Sequence, residues 1–344
     1  MLMIRIEVIG AESLGVRSLS CFVELDDVAI LVDPGIALGY RRRKLHPHPI
    51  QAVAGDFARS RIVDLWSRAR YVVLTHMHGD HVPLPNPNPF QLGIGHLPRN
   101  DSMTVVIPCA QWASPRARLR LESIVSAFKD RVARVEPGSR IGLVQVLGPY
   151  RHGVAESAVY PVFVDSNEPL LHLSDTELLV EEVVSDVRRL RPSIVVTSGP
   201  PIYRYAHDRS VVSSMLAKAR RILEAIARYS DKVVVDHHLL RCVEGYSWLK
   251  EVRRELSGVT TAAEYMGRKP LFLEAWRSAL YIAFPVDNEW FKHSYREVID
   301  AFKPVYSEVL RRIECLEDLS EERFLELLED IRSSLEAPRL FRGS

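Results

Sequence analysis

Thr75-His76-Met77-His78-Gly79-Asp80-His81 follows directly on the apolar run Tyr71-Val72-Val73-Leu74. That run is long enough for one pass through a sheet and too short for a helix, so it reads as a buried strand. It delivers three imidazoles and a carboxylate into a loop, where they can converge on one point. Imidazole and carboxylate are the ligands that a borderline cation such as Zn²⁺ accepts, and the thiolates common in structural zinc sites are absent here. Two His one residue apart are often no more than a solvated loop. The full H-x-H-x-D-H spacing points to a metal site.

Upstream of this stretch the chain reads as strands with short connections. Ser18 to Leu25 and Val28 to Val32 are apolar-rich runs separated by Asp26-Asp27, a plausible hairpin turn. The second run stops at Asp33-Pro34-Gly35, where Asp33 is expected either to cap the turn or to stand behind the metal ligands. A basic loop, Arg41-Arg42-Arg43-Lys44, is followed by His46-Pro47-His48-Pro49, whose prolines hold the chain extended. His48 is a candidate for substrate contact or proton transfer. Phe57 to Ala69 has the spacing of an amphipathic helix.

Downstream, Val82 to Phe90 is rich in Pro and Asn, which excludes a helix or an inner strand and predicts a stiff loop beside the site. A strand over Met103 to Pro108 and a helix over Pro115 to Val132 follow. A second set of strands is predicted over Val144 to Leu147, Ala158 to Val164, Pro169 to Leu173, Ser193 to Thr197 and Lys232 to Val235. Helices are predicted over Leu178 to Arg191, Val211 to Tyr229 and Glu274 to Phe284, with a charged helical tail beyond. Three later positions repeat the opening pattern of a strand running into His or Asp: His152, Asp175 and the Asp236-His237-His238 triplet. Strand alternation would send His237 and His238 to opposite faces, so one of them, His237 by a slight preference, is expected to bind metal. Asp236 would then orient an imidazole.

The 344 residues are 47% hydrophobic and 26% charged, which describes a globular chain with ample core. A formal charge of +1 argues against a strongly basic nucleic-acid binder. No apolar run long enough to cross a membrane occurs, and the N-terminus lacks the core of a signal peptide, so the cytoplasm is the expected compartment. Cys21, Cys109, Cys242 and Cys315 form no C-x-x-C pair and are each expected in the core. Scarce Asn and Gln against abundant Arg and Glu is a thermophile-like bias.

The order H-x-H-x-D-H, lone His, lone Asp, final His resembles the metallo-β-lactamase superfamily, and Asp33-Pro34-Gly35 matches its early Asp-containing turn. The likeness spans about residues 1 to 285 and is closest to an archaeal-type branch. It implies an α/β, four-layer αββα sandwich, with residues 286–344 as a helical C-terminal extension. It also implies two divalent ions, zinc first with manganese or iron as alternatives. His76, His78 and His152 would hold one ion. Asp80, His81 and His237 or His238 would hold the other, with Asp175 bridging. Asp80 and Asp175 are the carboxylates it places at the reacting centre. Two ions sharing a hydroxide perform hydrolysis.

The expected activity is therefore metal-dependent hydrolysis of an ester, lactone, thioester or phosphoester. The alternative is a nuclease or phosphodiesterase, suggested by Arg41 to Lys44 and the arginines of the 115–132 helix. Near-zero net charge counts against it. The stretch between Asp175 and His237 is too short for the inserted domain of the superfamily's RNA-processing branch. A non-catalytic scaffold fares worst, because the whole ligand set is present. His48, His96 and His207 are unranked candidates for the general acid. The helical tail offers a surface for self-association.

Overall fold

Strands whose residues are apolar without interruption must be covered on both faces, and that requirement sets the layers of this molecule. The structure, a computed structural model, describes residues 4–26, 28–109, 114–153 and 155–335. The first sheet contains β1 (Ile4–Gly10), β2 (Ser20–Leu25), β3 (Val28–Val32), β4 (Tyr71–Val73), β5 (Thr104–Pro108) and β6 (Val132–Val135), in that order. The first three strands are antiparallel, and β3 to β6 run parallel. Helices α1 (Pro49–Arg68) and α2 (Pro115–Phe128) are the crossovers.

The second half supplies β7 (Arg140–Ile141), β8 (Val144–Val146), the separate hairpin β9 (Tyr150–His152) and β10 (Ala155–Val159), and β11 (Val162–Val164). Next come β12 (Leu170–Ser174), α3 (Val183–Leu190), β13 (Ile194–Ser198), α4 (Arg209–Ala227), β14 (Lys232–Asp236), α5 (Val243–Arg253) and β15 (Val259–Thr260). The second sheet has the order β15-β14-β13-β12-β11-β8-β7, parallel from β12 to β15. Helices α6 (Ala262–Tyr265), α7 (Arg277–Ala283), α8 (Phe291–Ile313) and α9 (Glu321–Ser334) complete the chain.

Alternate residues sort into two cores. Cys21, Val23, Ile30, Val32, Val73 and Val106 meet Val162, Val164, Leu170, Val196 and Val234 between the sheets. Their neighbours Phe22, Leu31, Val72, Val105, Leu171, Val195, Val233 and Val235 face outward into the helices. Helix, sheet, sheet, helix is the resulting order.

Several expected boundaries shift, each for a local reason. The helix expected from Phe57 begins at Pro49: proline fits the first helical turn, and His48 closes a capping box with Gln51. The strand expected over Ala158 to Val164 divides into β10 and β11 around Pro161, which has no donor to give. The helix expected from Leu178 starts at Val183, because Glu177 and Leu178 adopt left-handed φ of 60° and 54°. The helix expected to reach Val132 ends at Phe128, where Lys129 turns left-handed at φ 46° and Val132 enters β6. Of the cysteines, Cys21 and Cys242 are buried, Cys109 is half-buried and Cys315 is exposed. In the Asp26-Asp27 turn, Asp27 lies outside the described residues.

The C-terminal helices cover α1. Phe57 stacks on Tyr306 with ring centroids 5.8 Å apart, and Trp276 stacks on Phe324 at 4.5 Å. Trp290 Nε1 donates to the Pro47 carbonyl at 3.0 Å. Among the described residues no helix is long and apolar enough to cross a membrane.

Candidate metal centre

The parallel strands of both sheets deliver their C-terminal ends to one edge of the sandwich, the usual place for a site in open α/β sheets. Asp33 follows β3, the His76 loop follows β4, Asp175 follows β12, and His237 follows β14. Three of these exits carry non-glycine residues in the left-handed region: Asp33 (φ 48°), Ser174 (φ 50°) and His237 (φ 52°). Each costs on the order of 1 kcal/mol, and such strain persists where the surroundings over-determine the geometry. Gly35 is required by close approach: a Cβ there would lie 2.2 Å from the Val82 nitrogen and 2.3 Å from the His81 carbonyl carbon.

Asp175, 1% exposed, is the hub. Its Oδ2 lies 3.0 Å from His152 Nε2, 3.2 Å from His81 Nε2, 3.4 Å from His238 Nε2 and 3.6 Å from His76 Nε2. His76 Nε2 and His78 Nδ1 are 3.0 Å apart, so His78 joins the same group. On the other side, His237 Nε2 is 3.4 Å from His81 Nε2 and 3.6 Å from Asp80 Oδ2. The donor atoms fall into overlapping groups: His76/His78/His152/Asp175, Asp80/His81/His237, Asp33/His76/His81, His152/Glu177/His238 and Asp175/His237/His238.

Carboxylates behind the rings fix which nitrogen faces inward. Asp33 accepts from His81 Nδ1 at 2.9 Å, from the Thr75 amide at 2.8 Å and from the Thr75 and Ser174 hydroxyls at 2.7 and 2.9 Å. With the Thr75 proton spent on Asp33, His76 Nδ1–H donates to Thr75 Oγ1 at 3.0 Å and turns its Nε2 to the centre. Glu177, buried and missed in the sequence, accepts from His238 Nδ1 at 2.6 Å. Its only signal was a second carboxylate two residues after Asp175. Gly153 makes room for it, since a Cβ there would sit 1.5 Å from Glu177 Oε2.

Burial pushes His237 and His238 well below the ordinary imidazole value and takes His78 down to about 4. His76 is likewise lowered well below it by burial and the neighbouring His81. These rings are neutral at physiological pH, the state in which imidazole binds a cation. His81 is pulled down by burial, but the Asp175 and Asp33 carboxylates outweigh that and raise it.

His237 and His238 both reach Asp175, where strand alternation predicted opposite faces. The reason is conformational: β14 ends at Asp236, and the left-handed His237 breaks the alternation, stacking the two rings 4.5 Å apart. Asp236 orients no imidazole. It accepts from the amides of Ser13, His237 and Ala262 at 3.0, 2.7 and 3.0 Å. His48 is also placed elsewhere. Its Nε2 donates to the Phe284 carbonyl at 2.8 Å while Nδ1 accepts from the Ile50 amide at 3.2 Å, so one nitrogen caps α1 and the other ties it to the end of α7.

The donor set fits a divalent cation on an observation independent of spacing: Asp175 Oδ1 is buried and has no hydrogen-bond partner. A buried carboxylate oxygen without a hydrogen-bond donor has its lone pairs free for a cation. A cavity of about 680 Å³ opens beside His78 and Asp80, bordered also by Tyr40, Asn88, Arg116 and Arg120.

Comparison with known proteins places these features. A family profile described as the metallo-beta-lactamase superfamily matches residues 15–82, which include Asp33 and the His76–His81 loop. The chain is 33% identical to a UPF0282 protein of Methanosarcina mazei, over 83% of this chain and 94% of that one. It is 32% identical to a UPF0282 protein of Pyrobaculum calidifontis, over 79% and 94%. Among solved structures, a quorum-quenching N-acyl homoserine lactone lactonase is similar at 12% identity and a TM-score of 0.34, covering 69% of this chain and 94% of that one.

Proposed function

Since this chain belongs to the UPF0282 family and its residues 15–82 match the metallo-beta-lactamase superfamily profile, we propose that it is a metal-dependent hydrolase acting on an ester, lactone, thioester or phosphoester. The observation that carries the reading is the Asp175 hub, with four imidazole Nε2 atoms within 3.6 Å of one carboxylate oxygen and the other oxygen unpartnered. His76, His78 and His152 with Asp175 would hold one divalent ion, zinc by donor type, and Asp80, His81 and His237 would serve a second. Bound there, the metal supplies Lewis-acid polarisation of the substrate and a water acidic enough to attack at neutral pH.

The chain's own residues do the rest. Asp33 and Glu177 hold the rings of His81 and His238 in one tautomer and one orientation. Asp80, whose side chain is 18% exposed, borders the cavity and is placed to orient the attacking water. The αββα walls leave the cavity as the open face, so substrate enters between the Pro-Asn loop and α2.

The test is metal analysis of purified protein together with p-nitrophenyl esters, lactones, thioesters and phosphodiesters, each with and without chelator. Chelator-sensitive turnover lost in Asp175→Asn and His152→Ala supports the reading, and turnover indifferent to both overturns it. A phosphodiester is favoured within the panel by Arg116 and Arg120, which border the cavity, whereas Arg41 to Lys44 do not. Arg42 instead faces Glu274 at 3.7 Å. Arg116→Gln should then raise KM for bis-p-nitrophenyl phosphate and leave KM for a neutral lactone unchanged.

A further inference from the structure

Arg241 lies at the end of the short turn Leu239–Arg241, 2% exposed, inside the centre. Its Nε donates to Glu12 Oε1 at 2.6 Å and its Nη1 to the Tyr203 hydroxyl at 3.0 Å. These two contacts leave Nη2 against the ligand residues: it donates to Asp80 Oδ2 at 3.2 Å and lies over the face of the His237 ring, 2.9 Å from Nε2 and 3.3 Å from Nδ1. Glu12 is itself buried at 1% exposure, so the guanidinium cannot leave without stranding a carboxylate. Within the Asp80/His81/His237 group, Asp80 is therefore bonded to a permanent cation and His237 lies beneath it. The other group differs. His76 is backed by Thr75 and His152 lies against Asp175, so these rings meet a hydroxyl and a carboxylate.

We propose that Arg241 makes the two halves of the centre unequal: one divalent ion binds tightly at His76/His78/His152/Asp175, and the Asp80/His81/His237 half carries the guanidinium in place of a tightly held second ion. This rests on the metal-dependent reading above and adds the order of filling. A second ion has to compete for Asp80, and it approaches a like charge in a poorly screened interior. Arg241 then supplies, on that side, the fixed positive charge a second ion would bring.

The experiment is a calorimetric titration of metal-free full-length protein with Zn²⁺, with bound metal counted by mass spectrometry after gel filtration. The wild type should retain one ion per chain, with any second ion at least about 100-fold weaker. Arg241→Met leaves Glu12 buried without its partner, so the double variant Glu12→Gln/Arg241→Met is measured beside it, with thermal unfolding as the check on folding. In the folded variant the second ion should tighten by about tenfold or more, whereas Arg241→Lys, which keeps a positive charge, should not tighten it. Two ions of equal affinity in the wild type, or an unchanged second affinity in the folded double variant, overturn the inference alone. A wild type that holds no ion overturns the hydrolase reading with it. The wild-type count decides even where a variant does not fold.

Discussion

At the end of β3 the chain reads Leu31-Val32-Asp33, and at the end of β14 it reads Val234-Val235-Asp236. Both aspartates are fully buried and each accepts four hydrogen bonds. Asp33 spends one of them on the His81 ring and two on hydroxyls beside the ligands, so it transmits the position of β3 to the centre. Asp236 spends all four on the amides of Ser13, His237 and Ala262 and the Ser13 hydroxyl. It ties β14 to the β1–β2 loop and to α6, and burial raises its pKa. The same local sequence gives a residue that aims a metal ligand in one sheet and a residue that fastens backbone in the other.

Substitution separates the two roles. Asp236→Ala strands three buried amides at about 1 kcal/mol or more each, so a loss of about 3 kcal/mol or more is expected in denaturant unfolding. Zn²⁺ affinity of the molecules still folded should change less than tenfold; a collapse of affinity at unchanged stability would erase the distinction. Asp33→Ala is expected to weaken Zn²⁺ binding by about 10- to 100-fold, the usual effect of removing a carboxylate behind a ligand imidazole. An affinity within twofold of wild type would deny Asp33 its orienting role.

Glu177→Gln sharpens the contrast from the second sheet. Glutamine keeps an acceptor for His238 Nδ1 but loses the charge that also faces Nδ1 of the ligand His152 at 3.6 Å, so about a tenfold loss of Zn²⁺ affinity is expected, measured by competition with a chromophoric chelator. His48→Ala is the smallest, about 1 kcal/mol of stability with metal content unchanged, as for other helix caps. Burial lowers His48 from 6.5 to about 3. The unfolded chain therefore binds a proton that the folded chain refuses in that interval, and stability falls as pH drops from about 6.5 toward 3. His48→Ala should show a shallower fall over the same window, and parallel curves would deny His48 the effect.

Much of this was readable where the physics is local. Tyr71 to Leu74 and Lys232 to Val235 announce buried strands because both their faces are covered, and the His76–His81 spacing packs its donors into one loop. What stayed hidden depends on tertiary approach. Glu177, Glu12 and Arg241 are single charged residues in stretches with no pattern, and they matter only because folding sets them against His238 and His237. The opposite faces expected of His237 and His238 were misjudged because one left-handed residue cancels strand alternation. His48 was misjudged because a Pro at the first turn of a helix looks, in sequence, the same as a Pro in an extended loop.

The cover that the C-terminal helices place on α1 has a consequence for the order of events during synthesis. Pro47 and His48 are bonded to Trp290 and Phe284, and the rings of Tyr40 and His46 lie 6.0 and 5.1 Å from that of Phe291. A chain emerging from the ribosome N-terminus first has α1 and its aromatic flank in solution well before the residues that shield them exist. The centre is subject to the same delay, because His76 and His81 wait for Asp175 and His238. Closing contacts across 236 and 243 residues at α1, and across 156 between His81 and His237, slows folding through their separation in sequence. The unfinished N-terminal half, with its bare face, is where aggregation or chaperone capture would strike first.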